Sequence, residues 1–480
     1  MTTIARSLHT GPRPDDRPVI AIIGGGFTGA TLALHLARDT RAGAARIFVI
    51  EPRAQIGAGL AYSTRDPSHR TNVPASRMTI DTARRGDFLA WIEENDIQLS
   101  PGTQTRCGAI FPQRGLFGRY AADRLRPMLE SGRVQHLCER AVAVRPGRPF
   151  AIRLGSGQVI HADHLVIATS HPPPGIPAVF AGLKGDPRLL TDPSDPGPIT
   201  ATAQATGDVL IVGTGLTSAD VIASLDRQGF AGRITAISRR GLRSRGHAIG
   251  CTESRSDFTH RPETTALGVL RRIRRAVRSE AARGLPWQAV LDNVRRDGAA
   301  IWAALPLAER ARLVRRLRVW WDVHRFRIAP QLEAVLDDLG ERGRLNNAAG
   351  RIEAARATPE GIAVRWTPRG ARPREDIFGR VILTTGPDHG AITASNPVIA
   401  GLSTAGLLRA DPLGLGLDVT DTCRAVGGDD RPTPGLWIAG PLARAHIGEL
   451  MGIPEVTMHA EAVAAMIAAE VATATPRVVE

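Results

Sequence analysis

Lysine is almost absent from this sequence. Lys184 is the only one among 61 basic residues, in a chain of 480 with a formal net charge of +14. The basicity is arginine's, whose planar, permanently charged fork suits carboxylates and delocalised anions. Cysteine is sparse too: Cys107, Cys138, Cys251 and Cys423 are widely scattered, and no C-x-x-C occurs. A dithiol redox pair and a zinc ribbon therefore lack support, and no metal site is expected. There is no run of about 18 uncharged apolar residues, so neither a membrane-spanning helix nor a membrane partner is expected. The opening "MTTIARSLHTGPRPDDRP" has no apolar segment and does not read as a secretory signal. Residues 1–17 are expected to be a flexible lead. Scattered cysteines without an export signal suit a reducing cytoplasm.

What is present starts with size. A chain of 480 residues is too long for one ordinary core, so two or three domains are expected. An apolar fraction of 43% is normal for a soluble globular protein. Arginine is unevenly spread. Between Arg239 and Arg327, 21 arginines stand against 8 acidic residues, so nearly the whole charge imbalance lies in that one segment. Three readings are open: a solvated helical face, a nucleic-acid surface, or recognition of an anionic small molecule.

Two stretches look built to hold a dinucleotide pyrophosphate. In "VIAIIGGGFTGATLALHL" an apolar, β-branched run leads into Gly24-x-Gly26-x-x-Gly29 and then a helix. Gly24 allows the tight turn, Gly26 lets backbone approach the pyrophosphate, and Gly29 lets helix pack on strand. The helix N-terminus offers N–H groups and dipole to the phosphates. A second strand, "ARIFVIE", ends in Glu51, 22 residues after Gly29, where a carboxylate accepts hydrogen bonds from ribose hydroxyls. This site reads as FAD. The second stretch, "DVLIVGTGLTSAD", has Gly213-x-Gly215-x-x-Ser218, 189 residues after the first. Its next strand, "RITAIS", runs into Arg239 and Arg240 rather than an acid. Arginine bonds a 2′-phosphate that a carboxylate would repel, so this site reads as NADP(H), with NADH left open. A merely solvated loop is the competing reading of the two arginines.

The halves echo each other further along. "AVAVRPGRPFAIRLGSGQVIHADHLVIATS" and "RIEAARATPEGIAVRWTPRG" with "GRVILTTG" each read as a small meander followed by an apolar strand. The fold class expected is α/β, with two Rossmann-like dinucleotide-binding domains. The FAD domain spans 18–203 with 389–480, and the NAD(P) domain spans 204–388 with an arginine-rich helical insert at about 262–345. The Pro- and Gly-rich "HPPPGIPAVFAGLKGDPRLLTDPSDPGP" is the expected crossing between them.

The layout resembles the two-dinucleotide-binding flavoprotein superfamily of flavin monooxygenases, amine N-hydroxylases and thioredoxin reductases. Within it the chain is similar to the bacterial FAD/NAD(P)-binding family to which an FAD-dependent urate hydroxylase belongs. The likeness rests on "IIGGGFTGATLALHL", "EPRAQIGAGLAYSTRDPSHRTNVPASRM", "SRRGLRSRGH", "IWAALPLAERARLVRRLRVWWDVHRFRIAP", "DPLGLGLDV" and "LWIAGPLARAHIGELMGIPEV". There are departures. Where some monooxygenases carry F-x-G-x-x-x-H, this chain has Phe180 and Gly182 but Asp186 in the histidine position. The cysteine pair of thioredoxin reductases is absent, and Pro441 follows Gly440 where many relatives have aspartate.

The resemblance implies an FAD-dependent, NAD(P)H-consuming monooxygenase. Its partners would be molecular oxygen and a small anionic or heteroaromatic substrate, with urate to 5-hydroxyisourate as the named case. No obvious triad or acid–base pair is present, and none is required, because the cofactor carries the hard step. Tyr62, Asn72 and Gly440 are expected along the FAD. His247, His324, Arg325, Arg327, His446 and Glu449 are candidates for the substrate pocket, each with an ordinary structural role as its competitor. An NADPH-dependent flavin reductase or oxidase without oxygen insertion, or an amine N-hydroxylase, is the alternative. A non-catalytic flavin- or nucleic-acid-binding regulator is the rival from another class, disfavoured by two complete nucleotide motifs.

Overall fold

The computed structural model describes residues 17–250 and 253–474. Apart from Arg17, the expected N-terminal lead lies outside the described residues, as do Cys251 and residues 475–480. Two sheets organise the chain. In the first, the order is Arg424–Val426, Pro432–Ile438, His164–Ile167, Val19–Ile23, Arg46–Ile50 and Val134–Leu137. Its inner neighbours run parallel, Val19 opposite Arg46 and Ile20 opposite His164. All five residues of Val19–Ile23 are buried, as expected for a strand covered on both faces. The helices Phe27–Arg38 and Glu455–Ala474 cover this sheet with an apolar face each.

The second sheet repeats the plan. Its order is Arg374–Phe378, Gly361–Pro368, Leu345–Thr358, Ile234–Ser238, Val209–Val212, Arg380–Leu383 and Leu189–Leu190. Ile234–Ser238, Val209–Val212 and Arg380–Leu383 correspond to Arg46–Ile50, Val19–Ile23 and His164–Ile167 of the first. The meanders differ in attachment. Ala141–Arg145, Phe150–Leu154 and Val159–Ala162 form a separate three-stranded sheet. Leu345–Thr358 instead begins as a parallel strand and continues past Gly350 into the hairpin.

The domain change does not fall at 203/204. Leu189–Leu190 pairs with Arg380–Leu383 in the second sheet, and Phe180, Leu183 and Leu189 lie in that sheet's core. The chain crosses within the first few residues of the Pro-rich stretch, where Pro174 bridges Pro387 on the return crossing. A two-residue strand carries no periodicity, so the sequence pattern does not reveal it. Phe180 is fully buried here. Asp186, in the place of the motif histidine, accepts from one guanidinium edge of Arg188, Nη2 at 2.8 Å and Nε at 3.0 Å.

The insert is helical: Ala266–Ala281, Trp287–Arg296, Gly298–Ala304, Leu307–Arg325 and Pro330–Glu341. The last packs Leu332, Leu336 and Leu339 on the second domain's core. The others gather a small core of their own around Phe258, Val290, Val294 and Leu305, then close on the first domain. Trp302 packs on Leu415 and Ala445 and donates its Nε1–H to the Ala445 carbonyl at 2.8 Å. Arg295 donates to Glu455 at 2.6 Å. Arg325 meets Glu449 at 2.9 Å and Glu455 at 3.4 Å.

Glu455–Thr473 is the one helix among the described residues long and apolar enough to cross a membrane by composition. Its Ala460, Val463, Ile467 and Val471 are buried in the first domain's core.

Two predictions test this packing. A Cβ on Gly29 would lie 1.9 Å from the Gly24 carbonyl oxygen, whereas one on Gly215 meets nothing within 4 Å. Gly29→Ala should therefore cost about 1–3 kcal/mol or more through overpacking, and Gly215→Ala less than about 1 kcal/mol as a helix N-cap change. Urea unfolding followed by circular dichroism reads both. Arg325 is 6% exposed, so Arg325→Met strips a partner from a buried pair and should cost about 3–5 kcal/mol. The Arg325→Met/Glu449→Gln double variant should recover part of that loss in the same measurement.

Candidate functional site

The first glycine turn is built by backbone crossing backbone. Gly24 has φ +104°, and a Cβ there would lie 2.7 Å from the Ala168 carbonyl oxygen. Its N–H donates to the Ile50 carbonyl at 3.0 Å, and the Ala168 N–H donates to Ile23 at 2.9 Å. Gly26 caps the helix Phe27–Arg38. Gly59, from the following loop, crosses so closely that a Cβ on it would lie 2.9 Å from the Gly26 Cα. A helix N-terminus framed by bare backbone is a ready anion site. Glu51 is 4% exposed and accepts N–H groups from Gly25 at 2.9 Å and Arg53 at 3.1 Å. Its carboxylate thus stands fixed at the strand end beside the turn, and the donor set fits an FAD adenosine diphosphate. Gly440 closes the other side: with φ +79°, a Cβ on it would meet Thr28 Oγ1 at 2.6 Å, in the first turn of the same helix.

The second turn copies the first. Gly213 has φ +127°, and its Cβ would lie 2.7 Å from the Thr384 carbonyl oxygen. The Gly213 N–H donates to Ile237 at 2.8 Å, and the Thr384 N–H to Val212 at 2.9 Å. Gly215 caps Leu216–Arg227. Ser218 is buried, so the third position of the fingerprint carries a small side chain in the packed helix face. Arg239 and Arg240 are exposed just past Ile234–Ser238. Neither forms an ion pair among the described residues, and the Arg240 guanidinium lies 5.6 Å from the Trp320 ring centre. The chemistry fits a phosphorylated ribose.

The remaining expected residues divide by what they touch. Tyr62 packs edge-on against Phe117 at 4.8 Å and Phe27 at 6.1 Å. Burial pushes its hydroxyl up to about 12. Its ring is a wall of the first turn's helix. The Asn72 carbonyl accepts from His247 Nε2 at 3.1 Å, and His247 lies over Phe111 at 4.7 Å. Burial, with Arg327 nearby, brings His247 down to about 4, so it is neutral at pH 7.

The arginines proposed for the pocket are already paired. Arg325 meets Glu449 and Glu455. Arg327 donates to Asp292 at 2.7 Å and lies over Trp287 at 5.5 Å. His324 stacks edge-on to the same Trp287 at 4.9 Å and donates Nδ1–H to the Trp320 carbonyl at 2.7 Å. His446 faces Asp421 at 2.8 Å. Glu449 also accepts the Trp321 Nε1–H at 3.3 Å. Apart from His446–Asp421, which lies within the first domain, these contacts hold the insert together and to the first domain.

Sequence reasoning missed the groups that meet between the domains. The loop after Tyr62 docks on the helix Leu216–Arg227: Asp66 pairs with Arg227 at 3.1 Å and accepts Ser224 Oγ–H at 2.8 Å, and His69 Nε2 lies 2.9 Å from Ser224 Oγ. Arg114 pairs with Asp220 at 2.9 Å. Where the chain crosses, the His171 and His389 rings stand 5.1 Å apart, near the buried Arg444. The only signal for these in the sequence is the placement of His171 and His389 just beyond the two equivalent strands.

Residues 21–172 match a protein-family model described as FAD-NAD(P)-binding. No curated protein matches the chain. Among solved structures, the reduced form of the ornithine hydroxylase of Pseudomonas aeruginosa aligns with a TM-score of 0.65 at 16% identity, covering 94% of this chain and 99% of that one. The cadaverine monooxygenase of desferrioxamine biosynthesis from Erwinia amylovora, bound to FAD, aligns at 0.62 and 14% identity, covering 96% of each chain. The L-lysine 6-monooxygenase of Pseudomonas syringae aligns at 0.61 and 18% identity, covering 96% of this chain and 100% of that one. At such identities the likeness establishes the fold. The chain therefore carries an FAD-NAD(P)-binding domain over 21–172, set within a two-dinucleotide-binding α/β architecture.

Proposed function

We propose that this chain is an FAD-dependent, NADPH-consuming monooxygenase of a small molecule. One observation carries the reading: two glycine turns of the same geometry share one fold, and their neighbouring strand ends differ in charge. Glu51 stands beside the first, Arg239 and Arg240 beyond the second. FAD would be held by the Gly24, Gly26 and Gly29 turn, by Glu51 and by Gly440. The nicotinamide dinucleotide would be held by Gly213, Gly215, Ser218 and the two arginines. Bound flavin supplies the redox and oxygen chemistry. The chain's own contribution would be to orient both dinucleotides and to exclude water, and we assign the second task to the insert that Trp302 and Arg325 draw onto the first domain.

For the substrate, the named activities of the solved relatives favour N-hydroxylation of a small amine. A planar heteroaromatic anion such as urate is the second reading, favoured by the sequence resemblance. It needs an arginine other than Arg325 and Arg327, whose charges are met by carboxylates.

The purified protein is expected to take up FAD in preference to FMN. It should oxidise NADPH faster with at least one of ornithine, lysine, cadaverine, urate or xanthine, and label from isotopic dioxygen should appear in the product. Stimulated oxidation without label would replace the monooxygenase reading with a reductase or oxidase. A protein that takes up no flavin would remove the basis of both.

The Arg239→Ala/Arg240→Ala double variant should raise the KM for NADPH by about 10- to 100-fold, from the loss of charged hydrogen bonds of about 1.5–3 kcal/mol. The KM for NADH should change little. Equal effects on both nucleotides would mean that the arginines do not read the 2′-phosphate.

A further inference from the structure

Arg444 is a buried cation without a partner. It opens the short helix Arg444–Ile447, just after the Gly440 turn, and is 8% exposed. Its guanidinium makes no hydrogen bond or ion pair among the described residues, and its Nε is a fully buried donor with nothing to bond. Burial, with Arg318 nearby, brings it down to about 10, so it remains charged at pH 7. A buried guanidinium that makes no hydrogen bond is costly.

The carboxylates around it are otherwise engaged. Asp322 faces Arg318 at 3.5 Å, and Glu449 faces Arg325 at 2.9 Å. Asp411 accepts the N–H groups of Leu413 and Leu415 at 2.7 Å each, and that of Gly416. The charges therefore balance in number, with Asp411 offsetting Arg444 from a distance, but none of the three carboxylates reaches the Arg444 guanidinium, which is left without a contact partner. The neighbouring imidazoles add no further positive charge. His171 and His389 are held at about 3 and about 4, mainly by burial, and are neutral at pH 7. Each also has a buried Nδ1 without a partner. These groups follow the strands His164–Ile167 and Arg380–Leu383, at the carboxyl ends where ligands enter such sheets.

We propose that Arg444 is the recognition residue of a small-anion site between the two domains, one that takes a planar carboxylate or a delocalised heteroaromatic anion. Its fork offers the bidentate geometry such groups accept, and the buried Nδ1 atoms of His171 and His389 offer further polar partners. The inference deepens the monooxygenase reading by naming the charged group of its substrate, and rests on that reading for the word substrate.

The test is equilibrium binding to the FAD-loaded protein, so turnover is not read. Calorimetric titration would use benzoate and urate as anions, with neutral benzamide and cationic cadaverine beside them. Benzoate or urate is expected to bind at least about tenfold more tightly than the other two. Arg444→Met should abolish that preference, keep its FAD absorbance, and match or exceed the parent's Tm, because a buried unpaired charge has gone. Arg315→Gln, exposed on the same insert helix as Arg318, should leave the preference intact and so separates the site from the general basic surface. Equal anion affinity in the parent and in Arg444→Met would overturn the proposal. So would the absence of anion binding at about 10 mM, the result expected if bound FAD itself meets the guanidinium. A lowered Tm in Arg444→Met without any anion preference in the parent would make Arg444 a structural brace. Failure of oxygen insertion, measured separately, bears on the monooxygenase reading and leaves this binding result standing.

Discussion

A carbonyl oxygen occupies the place where a side chain would begin, once in each half of this molecule. At Gly24 it is the oxygen of Ala168, and at Gly213 the oxygen of Thr384, each 2.7 Å from where a Cβ would stand. That contact ties three parallel strands at their carboxyl ends: the glycine strand, the strand whose carbonyl accepts the glycine N–H, and the strand that returns after the meander. Once they are tied, the helix after the turn can only start directly above the sheet edge, with its free N–H groups facing outward. The phosphate cradles are thus a consequence of strand packing, and any larger residue at either glycine would open the sheet before it blocked a ligand.

Net charge describes this protein poorly until each arginine is placed. The segment from Arg239 to Arg327 holds most of the excess, yet its buried members are neutralised within the fold: Arg325 by Glu449 and Glu455, Arg327 by Asp292, Arg295 by Glu455. Others, such as Arg271, Arg275, Arg315 and Arg316, are exposed on helix faces, where screening leaves them little individual effect. A buried arginine that makes no hydrogen bond or ion pair among the described residues, Arg444, lies outside the segment altogether. Composition measures how much charge exists, whereas recognition depends on which charge is left without a partner in a dry place.

This explains which features were legible in the sequence. The two turns, their strands, Glu51 and the helical insert show in the sequence because each is specified within a few tens of residues, by apolar runs and glycine spacing. Arg325 reads there as a pocket candidate because its partners lie more than a hundred positions away, at Glu449 and Glu455. The Asp66–Arg227 and Arg114–Asp220 pairs are hidden for the same reason. The domain change near Pro174 is hidden differently: a two-residue strand, Leu189–Leu190, has no period, and its proline-rich surroundings look like linker throughout.

The two domains meet directly through a polar, partly exposed set, Asp66, His69, Ser224 and Arg227, and through Phe111 of the first domain, which is buried in the second domain's core. The insert adds to that contact. It grows from the second domain and fastens to the first through Trp302 on Ala445 and Arg325 on Glu449 and Glu455. All of these anchors fall between Gly440 and Glu455, the same stretch that carries the closing glycine of the first nucleotide site and the unpaired guanidinium of Arg444. Any displacement of the insert must therefore move the wall of the proposed anion site, and a change at Arg325 reaches Arg444 through a single short segment of backbone.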